Sequence, residues 1–228
     1  MNSDIRYITE NYIDSEELCE ITKISESKLS ELIAKGLMPN FSYQIQSRYT
    51  ITSPLGDKEA IITTKRYFPK NIISIIEENL NLENGNSFKE KVKKEFIETF
   101  INHTDNPFAY ENIILNNGKI DFEKLEKAFE IEWEHYLNGI YGICTLNATG
   151  AEIAKKEIAV KKIISFIEEN SEIELSDEKK KKLIELNSQY NEVSNLFSPY
   201  QRENSSRGKY LDKMLNKNSL TELIKNYS

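Results

Sequence analysis

The first candidate for chemistry is a glutamate and a histidine one helical turn apart. Glu132 and His135 have the spacing at which two helical side chains point the same way, as in helical di-iron proteins. Such a site needs further carboxylates and a second histidine. His103 is the only other histidine, and Phe100 stands where its glutamate would be. We therefore predict no metal site, and expect a hydrogen-bonded, partly exposed histidine.

A second candidate is the cysteine that follows this histidine. Cys144 could act as a nucleophile if His135 served as its base, and Tyr141 lies between them in the sequence. Closeness in sequence does not establish that geometry, and free cysteines are among the most often buried residues. A buried, unreactive thiol is the favoured interpretation. His135, Cys144 and Tyr141 stay candidates for catalysis, and the catalytic residues and any cofactor stay unassigned.

The carboxy-terminal segment offers a third kind of chemistry, the binding of an anion. Residues 198–228 carry six Lys or Arg against three Asp or Glu, in a chain of net charge −7. Guanidinium groups beside a helix N-terminus favour phosphate or carboxylate ligands. The alternative is that the arginines pair with acidic residues of segment 71–197 and dock the tail. The predicted ligand-binding residues are Arg202, Arg207, Ser205 and Ser206, with Trp133, Tyr136 and Tyr141 as the walls of a pocket.

A pair of amphipathic helices must position these side chains. Asp121 can cap a helix that ends at Asn138-Gly139, and it carries one apolar stripe. After an aromatic-rich connection, Thr149 and Glu152 form a capping box, and isoleucines then recur at helical spacing. This helical pair is the predicted centre of the core.

The amino-terminal region predicts short helices, two of which form a helix-turn-helix. Ser25 is a cap and Gly36 a stop, and residues 18–39, LCEITKISESKLSELIAKGLMP, resemble the amino-terminal unit of MerR-type regulators. The second helix, residues 26–35, has two acidic residues, two lysines and no arginine, whereas base recognition usually relies on Arg, Lys, Asn or Gln. We therefore prefer a role in packing or protein interaction over DNA binding.

The rest of the chain completes a mainly α fold. Residues 41–68 alternate with period two around a turn at 54–57, which predicts a β-hairpin. Further helices are predicted after Pro69 and over residues 87–103, 107–115, 176–197, 205–216 and 219–227. The helix 87–103 begins with a Ser87/Glu90 capping box. The predicted organisation is an N-terminal helix-turn-helix with a short β-hairpin wing (residues 1–80), followed by an α-helical bundle (residues 87–228).

Composition limits the function classes. The apolar fraction is 39% and the charged fraction 29%, which is typical of a globular protein. No domain-wide basic surface exists, which weakens a nucleic-acid function. Cys19 and Cys144 lie far apart, which suits a reducing compartment. Without a signal peptide or an apolar stretch of about 20 residues, we expect a cytoplasmic protein with no membrane contact.

Three stretches together resemble a bacterial family of unknown activity that carries the general label of natural-product-biosynthesis proteins. They are the region from Tyr12 to Tyr43, the cluster Trp133-x-x-Tyr136…Gly139-x-Tyr141-Gly142-x-Cys144 with its Glu157-containing helix, and the tail Phe197-x-Pro199…Arg202…Ser205-Ser206-Arg207…Asp212. This resemblance implies a role near specialised-metabolite gene clusters but no particular reaction. This chain has Gly150 where family members tend to have proline.

Three functions follow as hypotheses. The first is an accessory or catalytic protein of small-molecule biosynthesis that binds an anionic ligand in its helical domain. The second is a MerR-like, DNA-binding transcription regulator with a helical sensing or dimerisation domain. The third is a non-catalytic scaffold for a protein partner. A homodimer is compatible with the last two.

Overall fold

The computed structural model describes residues 2–111, 113–170 and 174–227. In chain order the elements are α1 (Ser3–Asn11), β1 (Tyr12–Asp14), α2 (Ser15–Thr22), α3 (Glu26–Ala34), β2 (Tyr43–Thr52), β3 (Lys58–Pro69), α4 (Ile72–Asn79), α5 (Asn86–Asn102), a 3-10 turn (Asn106–Phe108), α6 (Phe122–Leu137), α7 (Ile140–Cys144), α8 (Gly150–Glu169), α9 (Asp177–Asn191), α10 (Pro199–Arg202), a π-helical turn (Arg207–Asp212), α11 (Lys213–Lys217) and a 3-10 turn (Thr221–Leu223). The strands form one antiparallel sheet in the order β1-β3-β2. This confirms the mainly α fold class. In the described ranges no helix combines the length and apolar character needed to cross a membrane.

Local capping explains the first helices. The Asp14 carboxylate accepts the backbone N–H of Glu16 at 3.0 Å, and the Ser25 hydroxyl accepts that of Lys28 at 3.1 Å. Between them Lys23 ends α2 with a φ of 56°. Polar side chains at the cap positions thus separate two short helices whose leucines point into one core, as predicted.

The predicted hairpin is confirmed, and a third strand joins its base. β2 and β3 pair from Tyr43↔Tyr67 to Thr52↔Lys58. Tyr43 and Tyr67 are buried, whereas both strands are exposed towards the turn. β1 pairs with the last residues of β3. It was not predicted, because three residues are too few to show a period-two pattern.

The carboxy-terminal part, residues 86–227, is built on the close packing of α5 against α8. Phe88, Val92, Phe96 and Phe100 form the buried stripe of α5. A Cβ added to Gly150, at the start of α8, would lie 2.1 Å from the backbone oxygen of Val92. Glycine is therefore required for this helix contact.

Several predicted elements differ from the structure. Within the segment 107–115 the described residues form a 3-10 turn and a β-bridge instead of a helix, and α9 stops at Asn191 rather than at residue 197. At the end of the chain, residues 219–227 hold a 3-10 turn instead of a helix. In each case apolar residues at helical spacing pack on a neighbouring core from non-helical backbone, and tertiary contacts outweigh the local pattern.

The two predicted capping boxes also form incompletely. The Thr149 hydroxyl accepts the backbone N–H of Glu152, but the Glu152 carboxylate binds Asn147 instead of returning to the cap. α5 begins one residue before Ser87, at a Gly85 N-cap that makes no side-chain cap bond. A Cβ at Gly85 would lie 2.5 Å from the Gly36 oxygen. The close packing of Gly85 against Gly36 therefore determines where α5 begins.

The amino-terminal part, residues 2–80, joins the carboxy-terminal part through the α6–α7 connection. The Ser42 hydroxyl donates to the Gly139 oxygen at 2.9 Å, and the Tyr12 hydroxyl donates to the Gly142 oxygen at 3.0 Å. A Cβ at Gly139 would lie 2.5 Å from the Phe41 oxygen, and one at Gly142 would lie 2.3 Å from the Ser42 hydroxyl oxygen. The absence of side chains at these glycines lets the two parts approach closely.

Candidate functional site

The tail arginines bind protein groups. Arg202 makes a bidentate ion pair with Asp212, at 2.6 Å from Nε and 2.9 Å from Nη2, and its Nη1 donates to the Leu196 oxygen at 2.7 Å. The π-helical turn brings Asp212 back to Arg202. The acidic partner therefore lies in the tail itself and not in segment 71–197.

Arg207 is more deeply buried, with 1% of its surface exposed. Its guanidinium donates to the Ser194 oxygen at 3.1 Å, the Asn195 oxygen at 3.2 Å and the Asn191 side chain, and it lies 4.8 Å from the ring centre of Tyr190. Burial lowers the pKa of Arg207 to about 10, so the group stays charged at neutral pH. Neutral acceptors and an aromatic ring thus hold a buried cation.

The two serines also serve the tail's own structure. The Ser205 hydroxyl donates to the Arg202 oxygen at 2.7 Å and accepts the N–H of Gly208, and the Ser206 hydroxyl bonds that of Tyr190 at 2.6 Å. These contacts agree with a docked tail. An anion at Arg202 would have to displace Asp212, and such a ligand stays a prediction.

The three predicted wall residues do not line one pocket. The rings of Trp133 and Tyr136 stack at 5.2 Å within the core, beside Phe88. Tyr141 lies on α7 and donates a short hydrogen bond to Glu132. All three side chains belong to the same buried core, and the Tyr141 hydroxyl reaches the carboxylate of Glu132.

Asn195 links this region to the tail, next to a β-bridge between Thr145 and Ser194. The Asn195 side chain donates to the Gly142 oxygen at 3.3 Å and to the Thr145 oxygen, while its own backbone oxygen accepts from Arg207. The predicted convergence of the α6–α7 connection and the tail is thus present, but hydrogen-bonded protein groups fill the contact.

The best candidate for a functional site is a polar cluster centred on Glu132 of α6. Glu132 is buried, with 7% of its surface exposed. Tyr110 donates to its Oε1 at 2.8 Å, Tyr141 donates to its Oε2, and His135 Nδ1 lies 3.4 Å from the same Oε2. The i, i+3 spacing thus places His135 beside Glu132 as the sequence indicated. The imidazole is about half exposed.

Tyr110 was not found from the sequence. It comes from the loop after α5 and has a φ of 54°, a conformation that costs about 1–2 kcal/mol for a residue with a Cβ. Its ring packs on Phe96 and Phe100, with centroids 5.8 and 5.7 Å away. Aromatic packing thus holds a strained residue whose hydroxyl reaches Glu132. No motif or spacing in the sequence marked this tyrosine.

A second carboxyl group, Glu157 of α8, lies next to the cluster. Burial raises its pKa, and so does the charge of Glu132, while Lys156, Lys161 and His135 act in the opposite direction. Burial and Glu132 also raise the pKa values of Tyr110 and Tyr141, so both hydroxyls remain donors. Glu157 is a half-buried acid that keeps its proton to higher pH than an ordinary glutamate.

This arrangement is suited to proton transfer. Glu132 accepts two tyrosine hydroxyls, and Glu157, a second carboxyl group with a raised pKa, lies within electrostatic reach of it. Two carboxyl groups in different environments can take different roles in acid–base chemistry. Cys144 lies one turn beyond Tyr141 on α7 and is half-buried. Within the described ranges, no group of three or more His, Cys, Asp or Glu residues could hold a metal ion.

Comparison with known proteins assigns the carboxy-terminal part to a family. The sequence profile of the Family of unknown function (DUF6058) matches residues 88–219 of the 228-residue chain. The protein belongs to this family. No curated protein and no solved structure matches the chain.

The DUF6058 match contains the whole Glu132 cluster and both tail arginines. Tyr110, Glu132, Tyr141, Glu157 and the two arginines all fall within residues 88–219. α1 to α4 and the sheet fall outside it. The family region is therefore the part that carries the candidate chemistry.

Proposed function

We propose that this protein acts on a small molecule in specialised-metabolite biosynthesis, and that the Glu132 cluster is its proton-transfer centre. The observation that carries this proposal is the contact of Glu132 with Tyr110 and Tyr141 beside a second carboxyl group, Glu157. Paired carboxyl groups with different proton affinities recur in acid–base catalysis. The resemblance to natural-product-biosynthesis proteins supports a substrate from specialised metabolism.

The residues take distinct roles in this proposal. Glu157 is the acid, because its raised pKa lets it keep its proton to higher pH than an ordinary glutamate and because it is partly accessible. Glu132, fixed by two hydroxyl donors, stabilises the positive charge that develops as the proton moves to the substrate. His135 connects Glu132 with solvent, because its ring is about half exposed. Glu157, which is partly accessible, regains its proton from solvent after each transfer.

The test uses a host strain from which the gene has been deleted. The wild-type gene or a variant is returned to this strain, and its metabolites are profiled. Glu157→Gln and Glu132→Gln are expected to abolish the metabolite difference that the wild-type gene restores, because both remove a proton-transfer group while keeping side-chain size. Glu134→Gln is the matched control, since it makes the same change on an exposed face of α6. Full restoration by both cluster variants, with protein levels unchanged, would contradict the proposal.

The predicted anionic ligand has its own test. Asp212→Asn removes the charge that neutralises Arg202, and should let inorganic phosphate bind there. Isothermal titration with phosphate should then show binding to the variant that Arg202→Gln in the same background removes. Equal binding by wild type and both variants would place the anion elsewhere.

A DNA-binding regulator is the second candidate, favoured by the order of elements. α2, a short turn, α3 and then the β2–β3 hairpin follow the order of a winged helix-turn-helix. The lysines of α3 argue against strong phosphate binding, because Lys28 and Lys35 both pair with Glu31, at 3.1 and 2.7 Å. Gel-shift titration at several salt concentrations should show tighter, more salt-dependent binding by Glu31→Gln if α3 faces DNA.

A further inference from the structure

A cavity of about 290 Å³ opens where the two parts of the molecule meet, which we name the seam cavity. α4 forms one side, α5 and Tyr136 of α6 form the others, and the loop 147–149 before α8 closes one end. The volume is at the lower end of the usual range for ligand sites, about 300–1,000 Å³. It is separate from the Glu132 cluster, whose residues do not line it.

Two polar groups at this cavity have no hydrogen-bond partner among the described residues. Tyr136 is 98% buried, since 2% of its surface is exposed, and its hydroxyl makes no hydrogen bond. The side-chain oxygen of Asn71 is buried and also lacks a partner. The Asn71 amide nitrogen donates to the Asn147 oxygen, which fixes the orientation of the amide. Buried polar atoms are nearly always bonded, so the Asn71 oxygen needs an outside partner, whereas the Tyr136 hydroxyl is not fully buried.

A carboxylate supplies charge to the same cavity. Glu95 is half-buried, and its Oε2 accepts the Gly150 N–H at 3.2 Å. The pKa of Tyr136 is raised by burial and then by Glu95, which places the two groups within electrostatic reach. At the rim, Glu78 and Lys91 pair with each other at 2.5 Å. The lining thus carries one uncompensated negative charge.

The start of α8 does not make this an anion site. Its first N–H group, that of Gly150, is bonded to Glu95, and the N–H of Glu152 is bonded to the Thr149 hydroxyl. An added anion would compete with Glu95 for this helix end. The Asn71 oxygen can only accept, and the Tyr136 hydroxyl oxygen can accept as well as donate, so a ligand with N–H donors suits both.

We propose that the seam cavity binds a small primary ammonium compound. An ammonium has three N–H donors and a positive charge. The acceptors in the lining are the Asn71 oxygen, the Tyr136 hydroxyl oxygen and the Glu95 carboxylate, and Ile75, Phe88 and Val92 offer apolar surface for a short alkyl chain. A ligand held between α4 and α5 stabilises the contact between the two parts of the protein.

The experiment uses the full chain and straight-chain n-alkylammonium ions of two to five carbons as probes, with n-butanol as the neutral control. Binding is followed by NMR chemical shifts of Asn71 and Gly150 and by the rise in melting temperature with probe concentration. We expect saturable binding of an ammonium probe and none of butanol. Shifts confined to surface carboxylates, or equal binding of butanol, would overturn the proposal, as would no binding of any probe.

Two conservative variants separate binding from folding. Glu95→Gln keeps an oxygen that can accept the Gly150 N–H but removes the charge, and it should weaken ammonium binding by about tenfold to a hundredfold, since a charged hydrogen bond contributes about 1.5–3 kcal/mol. Tyr136→Phe should weaken binding without lowering the melting temperature, because the hydroxyl has no partner to lose. Glu98→Gln, an exposed change on α5, is the control. Unchanged affinity in both cavity variants would overturn the proposal, as would inorganic phosphate binding in place of ammonium.

Discussion

The Glu132 cluster and the tail arginines both contain buried charged groups, but the surroundings of these charges differ. Arg202 is neutralised by Asp212, and Arg207 is surrounded by neutral acceptors and an aromatic ring. Glu132 instead lies near a second acid, Glu157, whose proton affinity it raises. Matched charges indicate a structural role, whereas neighbouring like charges carry a free-energy cost that a purely structural site has no reason to keep.

Amino-acid composition alone does not show this difference between the two regions. The basic tail is conspicuous because the chain as a whole is acidic. Its two arginines are nevertheless bound by groups of the protein itself. The cluster uses acidic residues and tyrosines that are common elsewhere in the chain. The difference teaches that the environment of a charge, more than its rarity, identifies the candidate site.

The largest expected effect tests the structural side of the comparison. Arg207→Met should lower the free energy of unfolding by about 3–5 kcal/mol, because it leaves several buried acceptors unsatisfied at about 1–3 kcal/mol each. Denaturant unfolding measures the change. Lys209→Ala, at an exposed position in the same turn, should change it by less than about 0.5 kcal/mol. A loss at Arg207 as small as that of the control would mean that the tail is not held by this residue.

A smaller expected effect tests the contact between the α6–α7 connection and the amino-terminal part. Gly139 and Gly118 share a φ of 76°, but only Gly139 is crowded, since a Cβ on Gly118 would meet nothing within 4 Å. Gly118→Ala should cost about 1–2 kcal/mol from backbone strain alone. Gly139→Ala should cost about 1–3 kcal/mol more, because its Cβ collides with backbone.

Thermal or denaturant unfolding of the two glycine variants gives this difference directly. Equal losses would mean that the amino-terminal part can move away from the α6–α7 connection at little expense. In that case, the close approach at Gly139 would not fix the position of the Glu132 cluster.

The smallest expected effect is on the pH dependence of stability, and it tests the Glu132 cluster. A carboxyl group whose pKa is raised on folding binds more protons in the folded than in the unfolded state, so its contribution to stability falls as the pH rises through the folded pKa. For Glu157 this loss begins near its ordinary pKa of 4.5 and is complete above the raised value. Glu157→Gln should therefore be more stable than the wild type near neutral pH.

Below the ordinary pKa both proteins carry a neutral group at this position, and the advantage of Glu157→Gln should disappear. Urea unfolding across the pH range measures it, with Glu134→Gln as the exposed control. A difference that does not depend on pH would show that burial and Glu132 do not raise the pKa of Glu157.

Much of the secondary structure could be predicted, because the signals are local. The caps Asp14, Ser25, Asp121 and Thr149 each bond a backbone N–H within three residues, so their effect can be read from neighbours in sequence. The hairpin followed from alternation about a turn. The pairing of Glu132 with His135 followed from helix periodicity. The sequence by itself thus determined where most helices begin and which faces they bury.

The candidate site was decided by tertiary structure. Tyr110, Glu132 and Glu157 come from a loop and two separate helices, and no spacing rule connects them. The same holds for the bend that turns Asp212 towards Arg202 and for the seam cavity between α4 and α5. These features depend on how finished elements pack, and on which charges are desolvated when they do. Local preferences determine the elements, but only the folded chain sets the distances and burial that give their side chains a chemistry.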